Sequence, residues 1–414
     1  MRKAILASAL LSAVGLSFAT NGDNLIGVSP ASRGMGGIGV GMPVGPTDSI
    51  FRNPAWMTYY KGFNLSFGGI LFFPEVKAKT NFTGGPPAPT PASATSQSKM
   101  FVVPEVGIVH QINDKITVGV GAFGVSGMGV DYRHDSNFFN MHTTLQFMRI
   151  IPAIAYKVND AISVSGAVHL AYGSLDMGGV TSGGNAGGGQ SQTYGIGAQL
   201  GIAYNMGDFV YAGLTYQSPV SMTYKRVFDS GCFGMSGCDG QFEDLKLTQP
   251  QEVAFGVGVK PMDNLKVGMD IRWINWKNAK GYKEFQWKDQ WVIGLGGEFK
   301  PTQKLALRAG YNYGKSPIRG GAKNPMNANN IPNFAVPFSD FQIAWFNLIG
   351  FPAITEHHIT LGLGYEFTNN FGIDLAYKRA FNKKVSATDN ANMGMFVEAQ
   401  NAQNAISIGL NWKF

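Results

Sequence analysis

The stretch Ser407-Ile408-Gly409-Leu410-Asn411-Trp412-Lys413-Phe414 constrains the fold more than any other part of the chain. Side chains alternate across a strand, so Ile406, Ile408, Leu410, Trp412 and Phe414 share one face. Ala405, Ser407, Gly409, Asn411 and Lys413 share the other. An apolar strand at a sheet edge presents unpaired N–H and C=O groups, which invite aggregation. A sheet closed on itself within a membrane has no edge. The stretch is therefore either a chance alternation or the last strand of a closed transmembrane sheet.

The other end of the chain favours the second reading. Arg2 and Lys3 precede an apolar run from Ala4 to Leu16, and Ser17-Phe18-Ala19 is a small-x-small cleavage signature. This predicts an export signal over 1–19, removed to leave Thr20 first. No later stretch offers about 18 uninterrupted apolar residues, so no membrane helix is expected. The polar-x-Gly-x-x-aromatic-x-aromatic ending resembles the sorting signal of bacterial outer-membrane barrels, with Phe414 as the residue their assembly machinery reads. Charged residues make up 14%, against about 25% in globular domains. Aromatics make up 12% and mean hydropathy is −0.02, as expected where one strand face is apolar and the other polar. The formal charge of +7 falls by two with Arg2 and Lys3, and no basic block tracks a phosphate backbone. Nucleic acid is not an expected partner.

Alternating segments fall near 62–73, 99–112, 115–127, 146–158, 161–173, 192–205, 208–219, 249–260, 263–277, 286–300, 303–315, 356–368, 370–382 and 402–414. Each can cross a bilayer when tilted, which takes about 9–11 residues. Tight connections at 113–114, 159–160, 205–208, 261–264, 301–303 and 368–370 are built from Asn, Asp, Gly and Pro. Long ones, at 74–98, 128–145, 174–191, 220–248, 278–285, 316–355 and 383–401, alternate with them. Short periplasmic turns and long outside loops are the rule in outer-membrane barrels. The expected fold is an all-β, antiparallel transmembrane barrel of about 14 strands over 62–414, multi-pass in the bacterial outer membrane. Residues 20–61 precede the first strand and are too apolar for a flexible tail. They are expected to fold into the lumen as a plug.

Several segments resemble one family. Asn24-Leu25-Ile26-Gly27, Ser32-Arg33-Gly34-Met35-Gly36-Gly37-Ile38-Gly39 and Asn53-Pro54-Ala55 look like the hatch of FadL-type outer-membrane transporters. Tyr216-Gln217-Ser218-Pro219-Val220, Trp273-Ile274-Asn275-Trp276, Leu307-Arg308-Ala309-Gly310-Tyr311-Asn312-Tyr313 and Glu356-His357-His358 are further matches, in the right order. The resemblance implies a plugged fourteen-stranded barrel that takes up long-chain fatty acids or, in a related branch, aromatic hydrocarbons. It also implies sideways release to the outer-membrane lipid through a kink in the third strand. Gly119, Gly121, Gly124 and Gly127 lie in that strand, and glycine tolerates bulges. Lateral release suits a hydrophobe, since each buried CH₂ is worth about 0.8 kcal/mol out of water. The alternative is that these glycines only make room for side chains.

Strand parity points Arg149, Asp270, Arg272, Arg308, Asn312 and Asp374 inward. Arg149, Arg272 and Arg308 are candidate holders of a carboxylate head, through two-pronged bonds; equally, lumen arginines and acids satisfy one another. Phe51, Trp56 and Met57 are candidate pocket residues or plug packing. Asn53 and Pro54 form a turn that shapes the plug or meets ligand. The loop after the fifth strand, 175–190, is short and rich in Gly and Ser, a departure from the docking groove the resemblance implies. The apolar loop is instead 331–354, with Phe334, Phe338, Phe341, Trp345, Phe346 and Phe351 among its residues; it is either an exposed docking patch or a lid.

Cys232 and Cys238 fit a small loop disulfide in an oxidising compartment; free thiols or part of a metal site are alternatives, but no His lies nearby. Gly34 to Gly39 fits G-x-G-x-x-G, but Pro43 and Pro46 interrupt the segment after it and the preceding segment is an export signal, so no cofactor is expected. His357 and His358 point to opposite faces and cannot share a metal. No Ser–His–acid spacing stands out, so no catalytic residues are assigned. The sequence supports passive uptake of a hydrophobic small molecule, fatty acid before hydrocarbon. An adhesin or receptor on a barrel anchor, or a polar porin, are the rivals.

Overall fold

The computed structural model describes residues 20–83, 87–233 and 237–414; the expected export signal lies outside them. Fourteen antiparallel strands form the wall: β1 Phe63–Thr80, β2 Phe101–Gln111, β3 Ile116–Asp131, β4 His142–Lys157, β5 Ile162–Gly178, β6 Ser191–Met206 and β7 Val210–Gln217. They continue as β8 Glu252–Met262, β9 Leu265–Ile274, β10 Gln290–Phe299, β11 Leu305–Gly314, β12 His357–Thr368, β13 Phe371–Asp389 and β14 Phe396–Lys413. Each pairs with the next, and β14 returns to β1 from Val397↔Thr80 to Lys413↔Asn64, so the sheet closes. Phe63 and Phe414 exchange backbone hydrogen bonds of 3.0 and 2.8 Å at the junction.

Alternation sorts the two faces. Phe67, Ile150, Leu200, Phe255, Leu295, Leu361 and Ile408 point outward and stay exposed. Asp270, Arg272 and Asn312 point inward and are buried, as parity requires. An apolar exterior and a polar interior suit a barrel in hydrocarbon.

Several strands run past the sequence-based bounds at the long-loop end. β1 reaches Thr80, β5 Gly178 and β13 Asp389, while β4 starts at His142 and β14 at Phe396. Beyond the membrane the outward face meets water, so Lys77 and Lys79 replace apolar residues there while Val76 and Ala78 still point in. The lipid signal ends but the ladder continues. Two strands start three and four residues later than expected. Gln249 belongs to an outside hairpin, Val220–Phe228 with Glu243–Gln249, and Pro250 separates it from β8. Trp287 turns into an aromatic cluster before β10 begins.

The N-terminal segment contributes short helices α1 Pro30–Gly34 and α2 Pro46–Arg52, then a 3₁₀ turn over Pro54–Tyr59. A third helix, α3 Asp340–Gly350, starts with a capping box: Ser339 and Gln342 each accept from the other's backbone N–H. Phe341, Trp345, Phe346, Leu348 and Ile349 of α3 are all buried, so the apolar 331–354 stretch packs inward as part of one large aromatic cluster.

Candidate functional site

Residues 21–57 are almost wholly buried, and their polar groups bond to inward-facing residues of the wall. The Asp270 carboxylate accepts N–H bonds from Gly39, Val40 and Gly41 at 2.7, 2.8 and 2.9 Å. The glycine run that fits a dinucleotide fingerprint thus wraps its own barrel's carboxylate. Gly41 has to be glycine because a Cβ would collide with the Gly256–Val257 backbone of β8. Asn53 donates to the Val40 and Ile202 carbonyls at 3.1 and 3.0 Å, and Trp56 Nε1 donates to the Val40 carbonyl at 2.8 Å. Gln199 donates to the Phe51 carbonyl at 3.0 Å. Arg33 pairs with Glu105 at 2.7 Å, both buried. Buried polar groups need such partners.

Glu105 marks the start of a seam. β2 and β3 pair from Gln111↔Thr117 up to Glu105↔Phe123 and no further. Pro104, with no N–H to donate, holds the first unpaired position on β2. On the other side of β3, the register with β4 shifts between Gly124 and Ser126, a bulge at Val125. Residues 123–130 are buried on both faces, so the upper part of β3 has left the lipid-facing wall. The gap is closed above, where Gln97 donates to the Asp131 carbonyl at 2.9 Å. Inside, the N-terminal segment covers it: Asn24 bridges Ser126, and the Gly127 N–H donates to the Asp23 carbonyl at 3.1 Å. Leu25 packs with Ile70, Phe72, Phe101 and Val103 at the same place.

A polar knot ties this cover to the outside loops. Asp23 accepts from the Tyr282 hydroxyl and from Gln249 Nε2 at 3.2 Å, and Tyr282 bonds the same Gln249 nitrogen at 3.0 Å. Burial pushes the Asp23 carboxyl up, against the pull of the Tyr282 and Gln249 hydrogen bonds. Burial likewise pushes the Tyr282 hydroxyl well above its ordinary range.

Beside the knot lies an apolar cavity lined by Met128, Leu145, Leu247, Phe285, Trp287 and Phe351, with Tyr282 and Asn347 as its polar residues. Asn347 is satisfied: it accepts from Trp287 at 3.0 Å and donates to the Phe285 carbonyl at 2.8 Å. A second cavity lies on the other side of Met128, against Phe72, Val76, Pro352 and Gln403. Each has about 20 Å³ of free volume, room for about one water. A larger guest requires side chains to move, and Met128 borders both spaces.

The site residues expected from sequence fall into separate places. Arg272 pairs with Glu252 at 3.1 Å, and Arg308 pairs with Glu298 and Asp374, a lumen network. Arg149 bonds His169 and Gln217, both at 2.9 Å, and forms no ion pair among the described residues. Phe51 meets Phe123 edge-on at 6.0 Å, and Trp56 meets Tyr211 at 5.8 Å. Pro54 opens the 3₁₀ turn. Met57 fills the space over Gly119, while Gly121 leaves room for the Phe123 ring. Gly124 and Gly127 sit at the bulge and at the Asp23 bond. None of these residues borders the two cavities. Leu145, Leu247, Tyr282 and Trp287 were missed because they lie on outside loops or strand ends, where no period marks an inward face. Cys232 and Cys238 are joined, with S–S 2.06 Å, in the connection between β7 and β8.

Comparison with known proteins adds the context. The family model described as outer membrane protein transport protein (OMPP1/FadL/TodX) matches residues 24–333. The chain belongs to this family. Outer membrane protein P1 of Haemophilus influenzae is 22% identical over 442 residues, covering 92% of this chain and 90% of that protein. A putative outer membrane protein of Neisseria meningitidis serogroup B is 22% identical over 437 residues, covering 86% and 85%. Among solved structures, the Pseudomonas putida toluene transporter TodX superposes with a TM-score of 0.68 at 18% identity, covering 95% of this chain and all of that one. A Pseudomonas aeruginosa FadL homologue gives 0.67 at 17% identity, with the same coverage. At these identities the superpositions show a shared fold. Family membership places this FadL-type barrel in the outer membrane, among transporters of hydrophobic compounds.

Proposed function

We propose that this barrel passes neutral hydrophobic molecules from outside into the outer membrane, with residues 20–61 acting as a plug and the β2–β3 seam as the side exit. The observation that carries the reading is an apolar cavity set directly behind a break in the wall, with Met128 between them. A hydrophobe leaving there enters lipid without crossing water, which keeps the roughly 0.8 kcal/mol gained per buried CH₂. No bond chemistry is involved.

A neutral guest fits better than a fatty acid. The cavity's polar groups are the Tyr282 hydroxyl and the satisfied Asn347 amide, neither of which compensates a carboxylate. Arg272 and Arg308 already hold acids. An arene or a related hydrocarbon of a size that Met128 and Phe351 can yield to is the favoured class; the solved relatives include a toluene transporter and a monoaromatic hydrocarbon channel.

The test removes the extra residue. Deleting Val125 lets β3 continue straight and close the seam. Uptake of toluene into cells making this variant is expected to fall at least tenfold, with the barrel still heat-modifiable on a gel. Undiminished uptake through a folded variant would rule out the side exit. Competition between toluene and a long-chain fatty acid decides the ligand class: displacement by the fatty acid at equal or lower concentration would reverse the preference stated above.

A further inference from the structure

Two stretches of the outside loops concentrate positive charge. Residues 276–289 contain Lys277, Lys280, Lys283 and Lys288, and residues 314–323 contain Lys315, Arg319 and Lys323. Against these seven cations the two stretches hold only Glu284 and Asp289, a net +5, beside +7 for the whole chain. Both acids are engaged by backbone: Glu284 accepts from the Gly281 N–H at 2.6 Å and Asp289 from the Lys277 N–H at 3.0 Å. Lys277, Lys280, Lys283, Lys288 and Lys315 are exposed and form no ion pair among the described residues. The Lys288 N–H donates to the Pro317 carbonyl at 3.0 Å, so the two loops meet.

Their height above the membrane can be read from the wall. Trp273 and Trp291 are cross-strand partners on the outward face, and Tyr311 and Tyr313 pack around His357 on the next strands. Such aromatics mark the level where hydrocarbon gives way to headgroups. Lys277, Lys288 and Lys315 lie four, three and two residues from Trp273, Trp291 and Tyr313. At about 3.3 Å per residue they lie no more than roughly 7–13 Å of chain beyond that level. The headgroup zone is about 5–8 Å deep on each side of the hydrocarbon. The long-loop end of an outer-membrane barrel faces the outside, where the leaflet is phosphorylated glycolipid. Clusters of this size at a membrane surface hold anionic headgroups, each lysine acting as a point charge for phosphate.

We propose that the face formed by Lys277, Lys288 and Lys315, backed by Lys280 and Lys283, binds the phosphates of an outer-leaflet glycolipid. One flank of the barrel, β9 to β11, thereby carries bound lipid.

The experiment uses the full chain in detergent and bisphosphorylated lipid A as the probe, read by native mass spectrometry. The triple variant Lys277→Gln, Lys288→Gln, Lys315→Gln is expected to lose at least tenfold in bound glycolipid. A control triple at the opposite end, Lys61→Gln, Lys115→Gln, Lys304→Gln, is expected to bind as the unaltered chain does. For the unaltered chain, dephosphorylated lipid A is expected to bind at least tenfold less, and millimolar inorganic phosphate to leave the bound glycolipid in place. This arm needs no variant, so it stands if the triple fails to fold. Equal loss in both triples, equal binding of the dephosphorylated lipid, or displacement by inorganic phosphate would each overturn the proposal.

Discussion

Asp270 shows what a single inward-facing residue does in this molecule. Its direction is legible in the sequence, because Val267, Met269 and Ile271 alternate around it. Its partners are not legible: three backbone N–H groups some 230 positions away in the chain, a separation over which no local pattern operates. Gly36 and Gly41 have a physical reason that sequence alone misassigns, for they bring backbone against wall where no Cβ fits. Replacing Asp270 with Ala leaves the N–H groups of Gly39, Val40 and Gly41 buried without an acceptor. Each such loss costs about 1–3 kcal/mol. Local opening of this turn is expected to become easier by about 3 kcal/mol, so hydrogen exchange at residues 39–41 should quicken about a hundredfold. Exchange in β9 and β10 should be unchanged. If exchange at 39–41 does not change, the carboxylate is not what holds the segment.

Among the elements, the strands were readable and the outside cap was not. Strand signals come from alternation against lipid, which ends at the headgroups. The apolar run at 331–354 is visible in sequence, but its direction is not, since α3 is apolar on all sides and no face declares itself. The structure turns it inward. Trp345 meets Phe139 at 5.3 Å and Phe82 at 6.4 Å, and its indole N–H donates to Thr80 Oγ1 at 3.1 Å. Removing a fully packed Trp costs about 3–5 kcal/mol, and here the loss is confined to the cap. Trp345→Ala is therefore expected to expose the 324–351 loop to protease while the barrel resists, giving one new cut and an intact core fragment. Ser339→Ala, which removes only the helix cap at about 1 kcal/mol, should produce the same cut more slowly. Cleavage spread over the barrel strands would contradict the assignment of α3 to a separate cap.

For the whole molecule, alternation and the regular exchange of short and long connections carry the topology, because closure in hydrocarbon leaves few other ways to satisfy backbone groups. The break at β3 is implied by the family resemblance and not by periodicity, since a bulge is a property of pairing between strands and the glycines there mark only where one is tolerated. All of it depends on the outward face meeting lipid. Ile408 tests that dependence: it is 51% exposed and sits midway along the ten or so residues of β14 that cross the bilayer. A cation on the lipid face costs about 2–4 kcal/mol at mid-depth and about 0–1 near either interface. Ile408→Arg should therefore lower the unfolding free energy in lipid vesicles by about 2–4 kcal/mol. Met262→Arg, also outward but beside the short turn before β9, should lower it by about 1 or less. The contrast separates burial in lipid from mere exposure, because both side chains are equally free of protein contacts outside. If the two arginines cost the same, the apolar band does not face hydrocarbon, and neither the side exit through the seam nor lipid phosphates above the tryptophans would have a membrane to act in.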